Sequence, residues 1–134
     1  MIKAVFFDID GTLVSFNTHK IPESTLFALE ELRKKDIKIF ISTGRSWGQM
    51  QHLNDFPKFD GYITLNGSCC ITGEGKIIHQ TCIPTDDLEL LVEFLKTNNF
   101  PIEVVYANQE IMTSSNEVVE RAWANVNMPV PPII

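Results

Sequence analysis

Three times between residues 2 and 67 a short apolar run ends in a polar turn that contains glycine. Ile2-Lys3-Ala4-Val5-Phe6-Phe7 runs into Asp8-Ile9-Asp10-Gly11-Thr12, and Ile37-Lys38-Ile39-Phe40-Ile41 into Ser42-Thr43-Gly44-Arg45. Tyr62-Ile63-Thr64-Leu65 runs into Asn66-Gly67. An apolar run without alternation predicts a strand covered on both faces, as in a parallel sheet. Helical patterns fill the gaps. Pro22 suits a first helical position, and Leu26, Leu29 and Leu32, with Ala28, recur at helical spacing up to Lys34-Lys35. A shorter helix is predicted from Ser46 to Leu53. Strand, helix, strand, helix, strand specifies an α/β fold with a parallel sheet, and ligands of such sheets gather at the carboxyl ends of the strands. All three polar turns fall there.

From residue 68 the pattern changes. Cys69 to Thr72 and Lys76 to Thr81 flank Gly73-Glu74-Gly75, a hairpin signal. Thr85 is expected to cap a helix with Asp86, Asp87 and Glu89 in its first turn and Leu88, Leu91, Val92 and Leu95 as its apolar stripe. Asn98-Asn99 would stop it. Ile102 to Tyr106 and Glu110 to Thr113 are predicted strands joined by Ala107-Asn108-Gln109, and Asn116 opens a further short helix. A boundary near Ile83-Pro84 divides residues 1–83 from a second, α+β unit over 84–134. Its end, Pro129-Val130-Pro131-Pro132-Ile133-Ile134, has the composition of an interrupted loop.

At 134 residues, the chain is long enough to bury roughly two-thirds of its unfolded surface. Its 44% hydrophobic and 21% charged content is that of a globular chain. No apolar run approaches the roughly 20 residues that cross a bilayer, and no signal peptide is visible, so a cytoplasmic protein without membrane contact is expected. Seventeen acidic against eleven basic residues give a net charge of −6, which repels a phosphate backbone and argues against nucleic acid. Cys69, Cys70 and Cys82 are odd in number and form no CxxC pair, so packing roles are expected. His19, His52 and His79 lack ligand spacing, and Trp47 and Trp123 are expected in the core, with substrate stacking the alternative for Trp47.

The chemistry concentrates at the first turn. Asp8 and Asp10, two apart at the end of a buried strand and followed by Gly-Thr, form a carboxylate pair that is costly unless a cation or donors compensate it. Magnesium takes one or two carboxylates plus phosphate oxygens, and would reverse the local sign for an anionic substrate. Asp8 is placed to attack phosphorus, and Asp10 to act as general acid and then base. An Asp-Gly turn without chemistry is the alternative.

Phe7-Asp8-Ile9-Asp10-Gly11-Thr12-Leu13 matches the DxDGT motif of the haloacid dehalogenase (HAD) superfamily, and Ile41-Ser42-Thr43-Gly44-Arg45 resembles the TGR form of its second motif. The resemblance implies a Rossmann-like HAD core and Asp8 as nucleophile and magnesium ligand. It also implies that Asp10 contributes acid/base chemistry and, through its carbonyl, metal binding. The phosphate-binding hydroxyl falls to Thr43, with Ser42 the near competitor, and Gly44 lies beside it. Arg45 positions substrate or cap, or else forms a surface ion pair. Asn66-Gly67 resembles the NG element, with Asn66 a substrate-side hydrogen-bonding residue or a simple turn residue. The place of the second unit, after the third strand, resembles the start of a type IIB cap of the Cof-like group, many of whose members resemble sugar-phosphate phosphatases.

The third-motif lysine and the GDxxND acidic motif are not found. Asp86-Asp87 suits a solvated helix start, and Lys76 and Lys96 suit the surface. Truncation is the simplest account. It implies a chain at least several hundredfold slower than an intact enzyme, since losing one positioned charge can cost about 10²–10³ in rate. The expected activity is magnesium-dependent hydrolysis of small phosphorylated metabolites, with phosphotransfer as in mutases, or a non-catalytic fragment binding phosphate or a partner, as alternatives. An exposed sheet edge would favour self-association.

Overall fold

The computed structural model describes every residue except His52, Asn54, Asp55, Asn99, Ala107, Asn108 and Asn127. The expectations for His52, for Asn99 in a helix stop and for Ala107-Asn108 in a strand connection lie outside the described residues. The chain divides into two compact units, Met1–Gln80 and Thr81–Ile134.

The first unit is a five-stranded sheet in the order β1-β2-β3-β4-β5. β1 (Ala4–Phe7) leads through α1 (Glu23–Lys34) to β2 (Lys38–Ser42), and α2 (Trp47–Met50) precedes β3 (Gly61–Thr64). These three strands are parallel, with Phe7 level with Ile41 and Ser42 level with Ile63. β4 (Cys69–Thr72) and β5 (Ile77–Gln80) continue antiparallel, joined by the expected hairpin, whose Gly75 has φ +87°. Ile39 and Ile41 of β2 are fully buried, and Leu29 of the expected helical stripe packs onto them from α1. Pro22 stands just ahead of α1 in extended conformation, and Arg33 in the last turn donates to Glu30 and to the Lys58 carbonyl.

Several expectations are corrected. β1 is not covered on both faces in this chain: it alternates exposed and half-buried, with β2 as its partner in the five-stranded sheet. Exposed Phe6 stacks on Phe40, with ring centroids 4.9 Å apart. The helix expected from Ser46 to Leu53 is shorter, Trp47–Met50, and Ser46 is its cap through a reciprocal box with Gln49. Of the cysteines, Cys69 is buried as expected, whereas Cys82 is exposed. Trp47 packs edge-on to Tyr62, 5.0 Å between centroids, which supports its core role.

Gly73 shows how tightly the sheet meets its loops. A Cβ there would lie 2.6 Å from the Phe59 carbonyl oxygen and 3.3 Å from that of Asp60, both main-chain atoms. Gly73→Ala is therefore expected to destabilise the unit by about 1–3 kcal/mol, measured by urea unfolding; an unchanged midpoint would contradict this packing.

In the second unit, α3 (Thr85–Thr97) starts after Pro84, so Thr85 is its first residue and not its cap. Its stripe is not buried: Leu88, Leu91 and Val92 are exposed. β6 (Glu103–Val105) and β7 (Glu110–Met112) form an antiparallel pair, and α4 (Glu117–Asn125) begins where Asn116 accepts from the Val118 and Val119 amides at 3.0 Å. The last segment is not a loop in isolation. Ile133 bridges Met112 in parallel, with Met112 N–H donating to the Pro132 carbonyl at 2.8 Å and Ile134 N–H to that of Met112 at 3.0 Å. Trp123 is half-buried. Among the described residues no helix is long and apolar enough to cross a membrane.

Glu103, although exposed, is held above the usual carboxylate range by partial desolvation and by the charge of Glu110. A carboxyl whose folded value is raised favours the folded state when protonated and loses that advantage as pH rises through the folded value. Glu103→Gln is accordingly expected to raise the melting temperature at neutral pH, with the difference from the natural chain shrinking as pH falls through the carboxylate range. Equal melting at both pH values would contradict it.

Candidate active site

The site is built on Ile9. Its side chain is 0% exposed, and its carbonyl accepts from the amides of Thr12 (3.3 Å), Leu13 (3.0 Å) and Val14 (2.8 Å). Those bonds wind the chain into a tight loop straight after β1 and leave the neighbours of Ile9 directed away from the core. Gly11 suits its place through its φ of +80°, which side-chain-bearing residues rarely adopt; a Cβ there would also meet the exposed Phe16 ring at 2.4 Å, a ring free to swing aside.

Asp8 is exposed, and its Oδ2 accepts from the Thr12 hydroxyl at 3.2 Å. Among the described residues no ion pair involves it. Asp10 behaves differently. Arg45 grips both of its oxygens, Nε to Oδ2 at 2.8 Å and a terminal nitrogen to Oδ1 at 2.7 Å. The Arg45 side chain is 12% exposed and that of Asp10 39%, so the ion-pair alternative for Arg45 is met, by a bidentate pair that is half-sheltered and not fully at the surface.

The second strand tip carries Thr43, 5% exposed. Because Phe7 pairs with Ile41 in parallel register, Asp8 leaves β1 beside the end of β2, and Thr43 directly follows that strand. The Thr43 amide donates to the Ile63 carbonyl at 2.9 Å, and its hydroxyl accepts from the Arg45 amide at 3.1 Å. Ser42, the competitor, is exposed.

The third tip closes onto the second. The Asn66 amide donates to the Thr43 carbonyl at 3.1 Å, and that of Leu65 to the Arg45 carbonyl at 3.1 Å. A Cβ on Gly44 would lie 3.2 Å from Asn66 Oδ1, so the glycine leaves room for that amide side chain. Leu65, Asn66 and Gly67 have φ of +52°, +53° and +99°, three successive left-handed residues of which asparagine and glycine are the types that accept this readily. Thus Asp10, Thr43, Gly44, Arg45 and Asn66 are linked by direct contacts, Asp8 adjoins them through strand register, and Gly67 stands in open space.

Reading residues one motif at a time missed two features. The Asp10–Arg45 pair spans 35 residues and has no local signal. The Ser46 cap did have one, Ser46 with Gln49 three residues on. His19 and His79 lie outside this group of contacts, Lys76 and Lys96 are exposed, and Asp86 and Asp87 open α3. Among the described residues no group of three or more His, Cys, Asp or Glu side chains is placed to hold a metal ion.

The sequence matches the haloacid dehalogenase-like hydrolases over residues 5–129. It is 39% identical over 93 residues to the HMP-PP phosphatase of Shigella flexneri serotype 5b, covering 69% of this chain and 34% of that protein. The HMP-PP phosphatase of Escherichia coli K12 is 38% identical over the same span. Among solved structures, a phosphatase of the haloalkanoate superfamily from Bacteroides thetaiotaomicron covers 100% of this chain with 50% of its own, at 34% identity and a TM-score of 0.82. A HAD subclass IIB sugar phosphatase covers 98% of this chain with 52% of its own, at 39% identity and a TM-score of 0.81. The chain spans about a third of the length of the first relatives and about half that of these structures. Its three parallel strands, α1 and α2 follow the Rossmann-like HAD core of those neighbours. The chain belongs to the haloacid dehalogenase-like hydrolase family.

Proposed function

We propose that the three strand tips form the phosphoryl-transfer site of a phosphatase for small phosphorylated metabolites, with Asp8 as nucleophile. The observation that carries this reading is Asp8 itself: an exposed carboxylate, held by the Thr12 hydroxyl and in no ion pair among the described residues, one strand away from Thr43. An Asp8 oxygen attacks phosphorus as the bond to the leaving oxygen breaks, and Asp10 supplies the proton that oxygen takes up. Water then attacks phosphorus of the aspartyl-phosphate, Asp10 accepts its proton, and inorganic phosphate leaves with Asp8 restored. Thr43 would hydrogen-bond the transferring phosphoryl group, with Gly44 and Arg45 beside it, and Asn66 and Gly67 would face the substrate.

The donor set fits magnesium, a hard ion that needs only one or two protein carboxylates. With the Asp10 side chain held by Arg45, the Asp8 carboxylate and the Asp10 carbonyl are the groups that would hold it. Bound there, it would offset the charge gathered between carboxylate and phosphate.

Relatives named as a sugar phosphatase and as HMP-PP phosphatases support a small phosphorylated substrate, with sugar phosphates first. Residues 84–134 are read as the start of a type IIB cap, and a cytoplasmic location fits such substrates. The test is a panel of sugar phosphates and other phosphomonoesters, assayed for phosphate release with and without magnesium. Magnesium-dependent release supports the proposal, and its absence from the whole panel in a protein of the relatives' length contradicts it. A binding fragment without turnover is the second reading for the 134 residues alone, favoured by the lack of further acidic ligands among the described residues. The open edge of β1 supports pairing between copies of such a fragment.

A further inference from the structure

We infer that Arg45 is a positioning residue for Asp10, one that aims the acid/base carboxylate and ties its placement to the phosphate-side hydroxyl of Thr43. This rests on the phosphatase reading of Asp8 and Asp10. Two observations carry it. The guanidinium meets Asp10 with two separate nitrogens, at 2.8 Å and 2.7 Å, so both the distance and the plane of the carboxylate are set. Arg45 is in turn fixed at its main chain, where its amide donates to Thr43 Oγ1 at 3.1 Å and its carbonyl accepts from Leu65 at 3.1 Å.

Without that fork, Asp8 would keep its Thr12 contact, while the Asp10 side chain would be left to repulsion from Asp8 and to solvent. The fork turns Asp10 toward the second strand tip, leaving Asp8 to its Thr12 contact. Both Asp10 oxygens accept from Arg45 in this arrangement, so when Asp10 acts as acid one oxygen must carry the proton it donates. The N–H donor facing that oxygen releases, and the other keeps the carboxyl group in place until the proton has passed to the leaving oxygen. A lysine carries the same charge but cannot reproduce the paired donors. Misplacing a reacting group by about 1 Å can cost on the order of 10²-fold.

Leaving-group dependence separates positioning from a plain structural role, because kcat/KM reports only the steps through phosphorylation of Asp8. A sugar phosphate needs a proton on its departing alkoxide; p-nitrophenyl phosphate, whose phenolate leaves unaided, does not. Arg45→Lys is expected to lower kcat/KM for the sugar phosphate by on the order of 10²-fold while changing that for p-nitrophenyl phosphate far less. Arg45→Ala should behave alike and regain part of its activity with added guanidinium ion. Equal losses on both substrates, or none on either, would overturn the assignment. A readout independent of turnover is the Arg45 Nε–H resonance of the 134-residue chain, expected to be slow in exchange and to lose that protection in Asp10→Ala, which removes both acceptor oxygens. Unaltered protection in Asp10→Ala would equally overturn it. Failure of the phosphatase reading shows up separately, as activity retained in Asp8→Asn.

Discussion

Asp8→Asn is expected to lower the rate of phosphate release by on the order of 10⁴-fold or more, the scale seen when a covalent nucleophile is removed. The substitution is almost isosteric. An amide oxygen can still accept from the Thr12 hydroxyl, and since Asp8 is exposed and outside any ion pair among the described residues, no buried partner is stranded. What disappears is the anionic oxygen that bonds to phosphorus. Fold and stability should therefore persist while chemistry stops. Thermal unfolding alongside a phosphate-release assay checks both halves, and substantial magnesium-dependent turnover in the variant would contradict the role given to Asp8.

The second large effect is on stability. Ile9→Ala should destabilise the first unit by about 2–5 kcal/mol, since its fully buried side chain would leave a cavity beneath the loop that carries both carboxylates. At roughly 4–8 °C per kcal/mol for a unit of this size, the melting temperature should fall by about eight degrees or more. Unlike Asp8→Asn, this change loosens the turn whose three amides converge on the Ile9 carbonyl, so the two carboxylates lose their fixed spacing. Calorimetry measures the first effect; a melting temperature within two or three degrees of the natural chain would show that the loop is held by something other than this side chain.

The two effects separate what the sequence exposes from what it hides. Strand tips were legible because an apolar run, a carboxylate or hydroxyl and a glycine occur within a few residues of one another, as at Phe7 to Gly11. The hairpin at Gly73 to Gly75 and the Asn116 cap were legible for the same reason, each being a local backbone requirement met by a particular residue type. The exposure of β1 was not. Val5, Phe6 and Phe7 are apolar whether or not another strand lies alongside, and strand order is a property of the whole sheet. Nor does composition disclose that the proline-rich end lies along Met112, since that contact joins residues some twenty apart through main-chain bonds that any sequence can make.

Within the site, the separate residue types were visible and their coupling was not. Asp10 and Arg45 each fit a motif of their own, yet the bond between them depends on the parallel register that sets Phe7 against Ile41. The room made for Asn66 by the missing side chain of Gly44 is likewise a contact between two turns, and neither turn implies it alone.

The measurement that reaches the central claim most directly is chemical trapping of the phosphorylated protein. Borohydride added during turnover of a sugar phosphate with magnesium would reduce an aspartyl-phosphate to homoserine, and peptide mass spectrometry would locate it. Homoserine at position 8, absent in Asp8→Asn, is the predicted result. A covalent phosphoryl group on any other side chain, or sustained turnover with position 8 never modified, would contradict it.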